Sequence, residues 1–261
     1  MHVSCKMNRK QKGMNELQLV KNNFFYLFRW QMLRMKHVFP LYVIVQTLLA
    51  VGIVLGFSYL IPSIDNTATL YLTTGAPTVI LLAIGLVFLP QGIAETRLDG
   101  TLTYMLSLPI RRLYYVLVES VIWFIIALPG IIIALFVAML HFDIRLSFSF
   151  ISLFAFSLVG LTAIGIGYTI SLWLQPTVAE LISQVLIFGI LLFSPVNFPK
   201  ERLPEWLQLV HDILPIQYMA EIIRASIAEE QFSATFSSYM IVIIWFVVSF
   251  ILCYIAISRR T

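Results

Sequence analysis

Residues able to do chemistry are few in this chain, and their spacing does not assemble them. The four histidines, His2, His37, His141 and His211, never fall in the His-Glu-x-x-His pattern that sets two imidazoles on one helix face around zinc. Glu229 and Glu230 are adjacent carboxylates, but no arginine or histidine follows at a spacing that would make them an acid–base pair. Gly56-Phe57-Ser58-Tyr59 lacks the closing glycine of a serine nucleophile turn. Cys5 and Cys253 have no metal-ligating neighbours and read as silent free thiols. There is no Gly-x-x-x-x-Gly-Lys-Ser/Thr loop to cradle nucleotide phosphates. The residues therefore predict no catalytic, cofactor-binding or metal site in this chain.

The elements that must carry any function follow from composition. The chain has 261 residues, 60% hydrophobic and 11% charged, with a mean hydropathy of +0.92. Soluble domains run near half apolar and a quarter charged. The apolar residues come in runs of about 18–24, enough to cross a bilayer core at 1.5 Å per residue. A membrane barrel would show alternating segments of about ten residues instead. Six spans are expected: Val38–Leu60, Ala76–Ala94, Leu117–Leu140, Phe150–Trp173, Val178–Pro195 and Ser237–Ile257. The expected fold is all-α and polytopic, with residues 1–16 as a polar basic arm and 17–261 as one transmembrane domain. The stretch before Met14 reads as a polar preface, and Met14 is a candidate natural start.

The formal net charge of +4 has no basic stripe interleaved with aromatics, so nucleic acid is not an expected partner. It reports topology instead. Thirteen of the 17 lysines and arginines fall in the N-terminal arm, the loop after the second span and the C-terminal tail. The positive-inside rule makes both termini cytoplasmic. The span interiors are almost free of charge. Glu119 and Glu180 approach the bilayer near span ends, where a carboxylate can snorkel, cap a helix or face a cavity. The reading prefers a helix-end role for both. Pro77, Pro90 and Pro129, and glycines 160, 165 and 167, permit kinks and close helix approach. No filter-like loop or ring of charge suggests a channel.

Three segments outside the spans carry information. In Leu17–Lys36, apolar residues including Val20, Phe24 and Phe28 recur at three- and four-residue spacing, while Arg29 and Lys36 take other faces. That pattern predicts an interfacial amphipathic helix near lipid headgroups. In the loop Glu95–Tyr115, Asp99 and Gly100 can open a short helix beginning at Thr101, and Pro109 stops it. Its apolar residues Leu102, Met105, Leu106 and Leu108 need burial, against the protein's own helix ends or against a cytosolic partner. The third segment, Val196–Phe236, is patterned as two helices around Pro215, with stripes through Trp206 and through Tyr218, Ile222 and Ile223.

Two stretches resemble the ABC type 2 transporter permeases, the membrane subunits of bacterial ATP-driven exporters. One is Glu95-Thr-Arg-Leu-Asp-Gly-Thr-Leu-Thr-Tyr-Met-Leu-Ser-Leu-Pro-Ile-Arg-Arg. The other is Ser194-Pro-Val-Asn-Phe-Pro, then Leu203-Pro-Glu-Trp-Leu, Leu214-Pro-Ile-Gln-Tyr and Ile223-Arg224. The resemblance covers the chain from about Met14. It implies that Leu17–Lys36 is a connecting helix on the inner surface. It implies that Glu95, Asp99, Gly100, Thr101, Leu102, Leu106, Pro109, Arg111 and Arg112 form a loop whose coupling helix seats in a separate ATPase. It implies that Pro195, Phe198, Pro204, Trp206, Pro215, Tyr218 and Arg224 belong to outer re-entrant helices between spans five and six.

The function so implied is export of an amphipathic drug, peptide or lipid-like cargo from a bacterial cell. ATP and Mg would be held by the partner ATPase, and a second permease, identical or related, would complete the pair within the lipid of the cytoplasmic membrane. Polysaccharide is an alternative cargo. An ATPase-independent secondary carrier or a membrane scaffold is the alternative function.

Overall fold

The computed structural model describes residues 24–60, 66–108, 112–144 and 146–259, and every regular element among them is helical. Helix α1 covers 24–35. Six long apolar helices follow or intervene: α2 (Phe39–Tyr59), α3 (Thr67–Leu98), α5 (Arg112–Phe142), α6 (Phe150–Trp173), α7 (Pro176–Phe193) and α10 (Phe236–Ser258). Three shorter helices are α4 (Thr101–Ser107), α8 (Glu205–Ile213) and α9 (Pro215–Ile227). The six spans expected from hydropathy are present. Several limits move, and α3 moves most, beginning nine residues before the expected Ala76. Its first turns are polar, but Thr73, Thr74 and Thr78 turn their hydroxyls onto carbonyls four residues back. That satisfies them within the helix and lets a threonine-rich stretch be buried.

Helix α3 is the axis of the bundle. In its most apolar stretch 89% of residues are buried inside the protein, against 22% for α2, 17% for α7 and 28% for α10. Helices α5, α6, α7 and α9 pack directly against it, α2 packs mainly on α5, and α10 packs mainly on α6. In a membrane the apolar faces left open on α2, α7 and α10 are compatible with lipid tails, so they need no burial.

Small residues set how closely the helices approach. Gly160, Gly165 and Gly167 of α6 meet three different surfaces: Phe124 and Leu81, Ser249 and Phe250, and the backbone of Gly85. The contact at Gly85 falls in a π-turn of α3, Ile84–Phe88. The pair Ala163 and Gly167, a weak small-xxx-small signal on its own, is therefore the α3–α6 crossing.

Pro129 lies inside α5, where its missing N–H and ring weaken the local ladder. Gln46 of α2 braces the rung next to it. Its Nε2 donates to the carbonyl of Ile126 at 2.9 Å, and its Oε1 accepts from the amide of Gly130 at 3.1 Å. These are the two groups that close one i→i−4 bond in a regular helix. Gly130 is required there, since a Cβ would lie 2.1 Å from Gln46 Oε1. Gln46→Leu is expected to cost about 2 kcal/mol, because orphaned buried peptide groups cost ~1–3 kcal/mol each and the helix can recover part of the bond. The shift in thermal unfolding of the detergent-solubilised protein measures it, and an unshifted transition would contradict the clip.

Candidate functional site

One end of the bundle gathers α1, α4 and the termini of α3, α5, α6, α7 and α10. Helix α3 runs without a break from the buried core to Leu98. The chain then turns at Gly100, whose φ of 78° lies in the left-handed region where glycine carries no Cβ penalty. Asp99 Oδ1 accepts from the Thr101 amide at 2.8 Å and so starts α4. That hydrogen bond holds the Asp99 carboxyl below its ordinary value. The expected opening of α4 by Asp99 and Gly100 is thus present.

The faces of α4 are divided. Leu102 and Met105 are buried against the protein's own helices, and Leu106 is half-buried. Leu98 and Tyr104 point outward, exposed at 73% and 62%. Leu102 and Leu106 were the residues singled out from sequence, and they turn inward or to the edge. The outward apolar surface belongs to Leu98 and Tyr104. A seven-residue helix with apolar residues on both sides gives no periodicity from which to choose the buried one.

Two arginines lock this end. Arg97 donates to the carbonyls of Ser171 and Leu174, the latter at 2.6 Å, at the C-terminus of α6. Arg112 donates to Ile257 and Ser258 at 3.0 and 3.1 Å, at the C-terminus of α10. Cations at helix C-termini satisfy the last carbonyls and the dipole together. Arg112 is therefore engaged within the chain. Pro109 and Arg111 lie outside the described residues. Glu95 is exposed and, with Asp99, Glu180, Tyr42 and Gln91, borders an open cleft of about 520 Å³. Glu180 sits in the second turn of α7 and lines this cleft, so it is a helix-end carboxylate with an open side.

Helix α1 buries Leu27, Gln31 and Met35 along one stripe against the protein, while its open side carries Phe25, Tyr26, Trp30 and Leu33 beside Arg29. The stripe expected to meet lipid therefore packs on the protein, and the exposed face is largely apolar. Phe24 and Phe28 pack against the core. Val20 lies outside the described residues. What sequence does not suggest is the polar residue in the middle of that stripe. Gln31 Nε2 donates to Glu119 Oε2. Arg34 lies 3.5 Å from Glu119 Oε1, and Trp123 Nε1 donates to the same oxygen at 3.3 Å. Glu119 is 2% exposed, so it neither snorkels nor caps. It is a buried anchor that fastens α1 to α5. The available signal was the pairing of two misfits, a glutamine in an apolar stripe and a carboxylate in an apolar span.

The opposite end is closed by the segment 194–235. Helix α9 is buried along Ile216, Met219, Ala220, Ile222, Ile223 and Ile227, and packs on α10, α3 and α6. Its C-terminal carbonyls accept from Ser152 Oγ at 2.6 Å and the Ser147 amide at 3.1 Å. Helix α8 buries Leu207 and His211 and exposes Trp206. The stripe expected through Trp206 is therefore rotated towards His211. The His211 ring bonds the Phe193 carbonyl at 2.9 Å, and burial pushes its pKa down. Pro204 and Pro215 stand at the starts of α8 and α9. Tyr218 Oη donates to the Asp212 carbonyl at 3.0 Å. Pro195 is buried and Phe198 half-buried beside them. Arg224, 6% exposed, donates to Thr74 Oγ1 at 3.2 Å and to the Val196 carbonyl at 2.9 Å. It ties α9 and the 194–198 turn to the central helix.

None of this assembles a catalytic constellation. Among the described residues no three His, Cys, Asp or Glu side chains gather to hold a metal. Ser58 Oγ and His141 Nε2 are 2.9 Å apart on the exposed surface, and no described carboxylate pairs with His141. Glu229 is bonded by Ser149 Oγ at 3.3 Å. Cys253 is a buried free thiol.

Six apolar helices, with α3 buried among the others, define a multi-pass membrane protein. The family model for the ABC-2 type transporter matches residues 22–228, and the chain belongs to that family. It is the membrane component of an ABC transporter, a permease that is not itself catalytic. The matched region contains α1, the α4 loop and the α8–α9 segment. No curated protein matches the chain closely enough to be named as a relative.

Proposed function

We propose that this permease is the membrane half of an ATP-driven exporter. In this reading a separate ABC ATPase holds ATP and Mg and docks on α4, and a second permease, a copy or a related chain, completes the pathway. The observation that carries it is the continuity of α3 with α4. An exposed apolar surface spans the turn: Leu98 ends the most deeply buried helix of the bundle, and Tyr104 of α4 follows one glycine turn later. A push there reaches the core without crossing a flexible linker. ATP binding can switch the bundle only if the docked ATPase binds one of its two states better. The broad apolar faces of α2, α7 and α10 supply surface for lipid and for the second permease.

The α4 end carries α1, the C-terminus of α10 and six of the nine described lysines and arginines (Arg29, Arg34, Lys36, Arg97, Arg112 and Arg259), which favours the cytoplasmic side of a bacterial cell membrane. Outward transport rests on the family. The cleft bordered by Glu95, Asp99 and Glu180 favours amphipathic cargo with a cationic end, as in many drugs and peptides, over neutral polysaccharide. The test is co-purification of the ATPase from native membranes with Leu98→Asp and Tyr104→Asp. Both side chains are exposed, so folding should be unchanged. Loss of an exposed aromatic anchor costs about 2 kcal/mol at an interface, and at least a tenfold loss of bound ATPase is expected. Undiminished ATPase with both variants would refute docking at α4 and favour a secondary carrier or scaffold.

A further inference from the structure

At the end of the bundle opposite α4, a cleft of about 260 Å³ opens between α9, the turn Lys200–Arg202 and Phe232. Arg224 lines it. This guanidinium is buried, yet no carboxylate stands within ion-pair distance among the described residues. Its direct contacts are neutral, namely the Thr74 hydroxyl, the Val196 carbonyl, and the ring faces of Tyr71 and Phe232 at 3.9 and 5.4 Å, while Glu221 acts on it from beyond ion-pair distance. Burial lowers its pKa to about 10, so it stays charged at neutral pH. Of its five N–H groups these contacts occupy two, leaving the NH1 corner for an anion. A buried charge with no carboxylate in direct contact is costly, and ring faces and the more distant Glu221 offset only part of that.

The same cleft carries the opposite sign. Glu221, one turn before Arg224, and Glu201 both line it. Gln217 lines it as well, and its Oε1 is shielded from solvent with no partner. The cleft thus offers a cationic donor beside two carboxylates and an unused acceptor. Its volume lies below the ~300–1,000 Å³ of drug-sized pockets, so it suits a headgroup rather than a whole amphipathic cargo.

We propose that this cleft binds a phosphoryl–ammonium zwitterion of the phosphoethanolamine type, with the phosphate on Arg224 and the ammonium between Glu201, Glu221 and Gln217. The group can arrive as a lipid headgroup or as a free small molecule, since both present the same charges. The inference rests on the cleft and on the protein lying in a membrane. It does not depend on docking of an ATPase at α4.

The test uses the full chain in mild detergent and native mass spectrometry. The probes are dioctanoyl phosphatidylethanolamine, dioctanoyl phosphatidylglycerol, which keeps the phosphate but lacks the ammonium, and free phosphoethanolamine. The ethanolamine lipid is expected to bind roughly tenfold tighter than the glycerol lipid, the size of one charge-assisted contact. The double variant E201Q/E221Q should bring the two lipids to equal affinity, and R224Q should weaken both. Competition by free phosphoethanolamine identifies the headgroup alone as sufficient. Binding of the lipid without such competition identifies a lipid site. Should R224Q fail to fold, the lipid ratio in E201Q/E221Q still decides. Equal affinity of the two lipids for the parent chain, or a ratio unchanged in the double variant, would overturn the proposal.

Discussion

Replacing Gly167 by leucine is expected to prevent α3 and α6 from closing, and to cost at least the upper end of the ~1–3 kcal/mol typical of overpacking. A Cβ at Gly167 would lie 1.8 Å from the Gly85 carbonyl oxygen and 2.9 Å from its carbon. The reciprocal Cβ at Gly85 would lie 2.5 Å from the backbone carbon of Ala163. Backbone faces backbone, so no flexible side chain can move aside. The whole crossing would have to separate, and α3 is the helix on which α5, α6, α7 and α9 pack. Gly189 is the internal control, since a Cβ there meets nothing within 4 Å. Thermal unfolding in detergent should show Gly167→Leu strongly destabilised or unfolded and Gly189→Ala unchanged. A Gly167→Leu protein that melts with its parent would contradict the crossing.

Glu119→Ala is expected to release α1. Breaking a buried ion pair costs ~3–5 kcal/mol, because the partner is left uncompensated. Arg34 keeps 26% of its side chain exposed and can recover some hydration, so about 3 kcal/mol is expected. The loss should be local. Hydrogen exchange across 24–35 should rise by two orders of magnitude while α6 stays protected, since each 1.4 kcal/mol is tenfold. Glu119→Gln keeps an acceptor for Gln31 and should fall between. Uniform exchange across the chain in Glu119→Ala would mean that the carboxylate supports the core rather than fastening the interfacial helix.

The spans were legible because a bilayer demands length and apolarity at once, and both are properties of a one-dimensional string. The two stretches that carry the family resemblance were legible for another reason. They interrupt apolar sequence with proline, glycine and charge, and those residues have to be explained by a turn or a partner. What sequence hid was pairing. Gln31 and Glu119 are 88 positions apart, and Gln46 meets Gly130 across 84. Each looks like a mild local anomaly until the helices are packed. The start of α3 was hidden because hydropathy scores a threonine as polar, while a helix lets it bond to its own backbone. The outward face of α4 was hidden because one and a half turns of apolar residues do not point anywhere. Arg224 was singled out by position, but its burial with no carboxylate in direct contact appears only when α9 lies against α3.

In the proposed coupling an ATPase drives this permease through α4. The most direct measurement is ATP hydrolysis by the complex isolated from native membranes in gentle detergent, with its subunits counted by mass spectrometry. Coupling through α4 predicts a P-loop ATPase in comparable amount to the permease, turnover stopped by vanadate, and loss of that subunit when Tyr104 is replaced by aspartate. A well-folded permease that repeatedly emerges without any ATPase would contradict it.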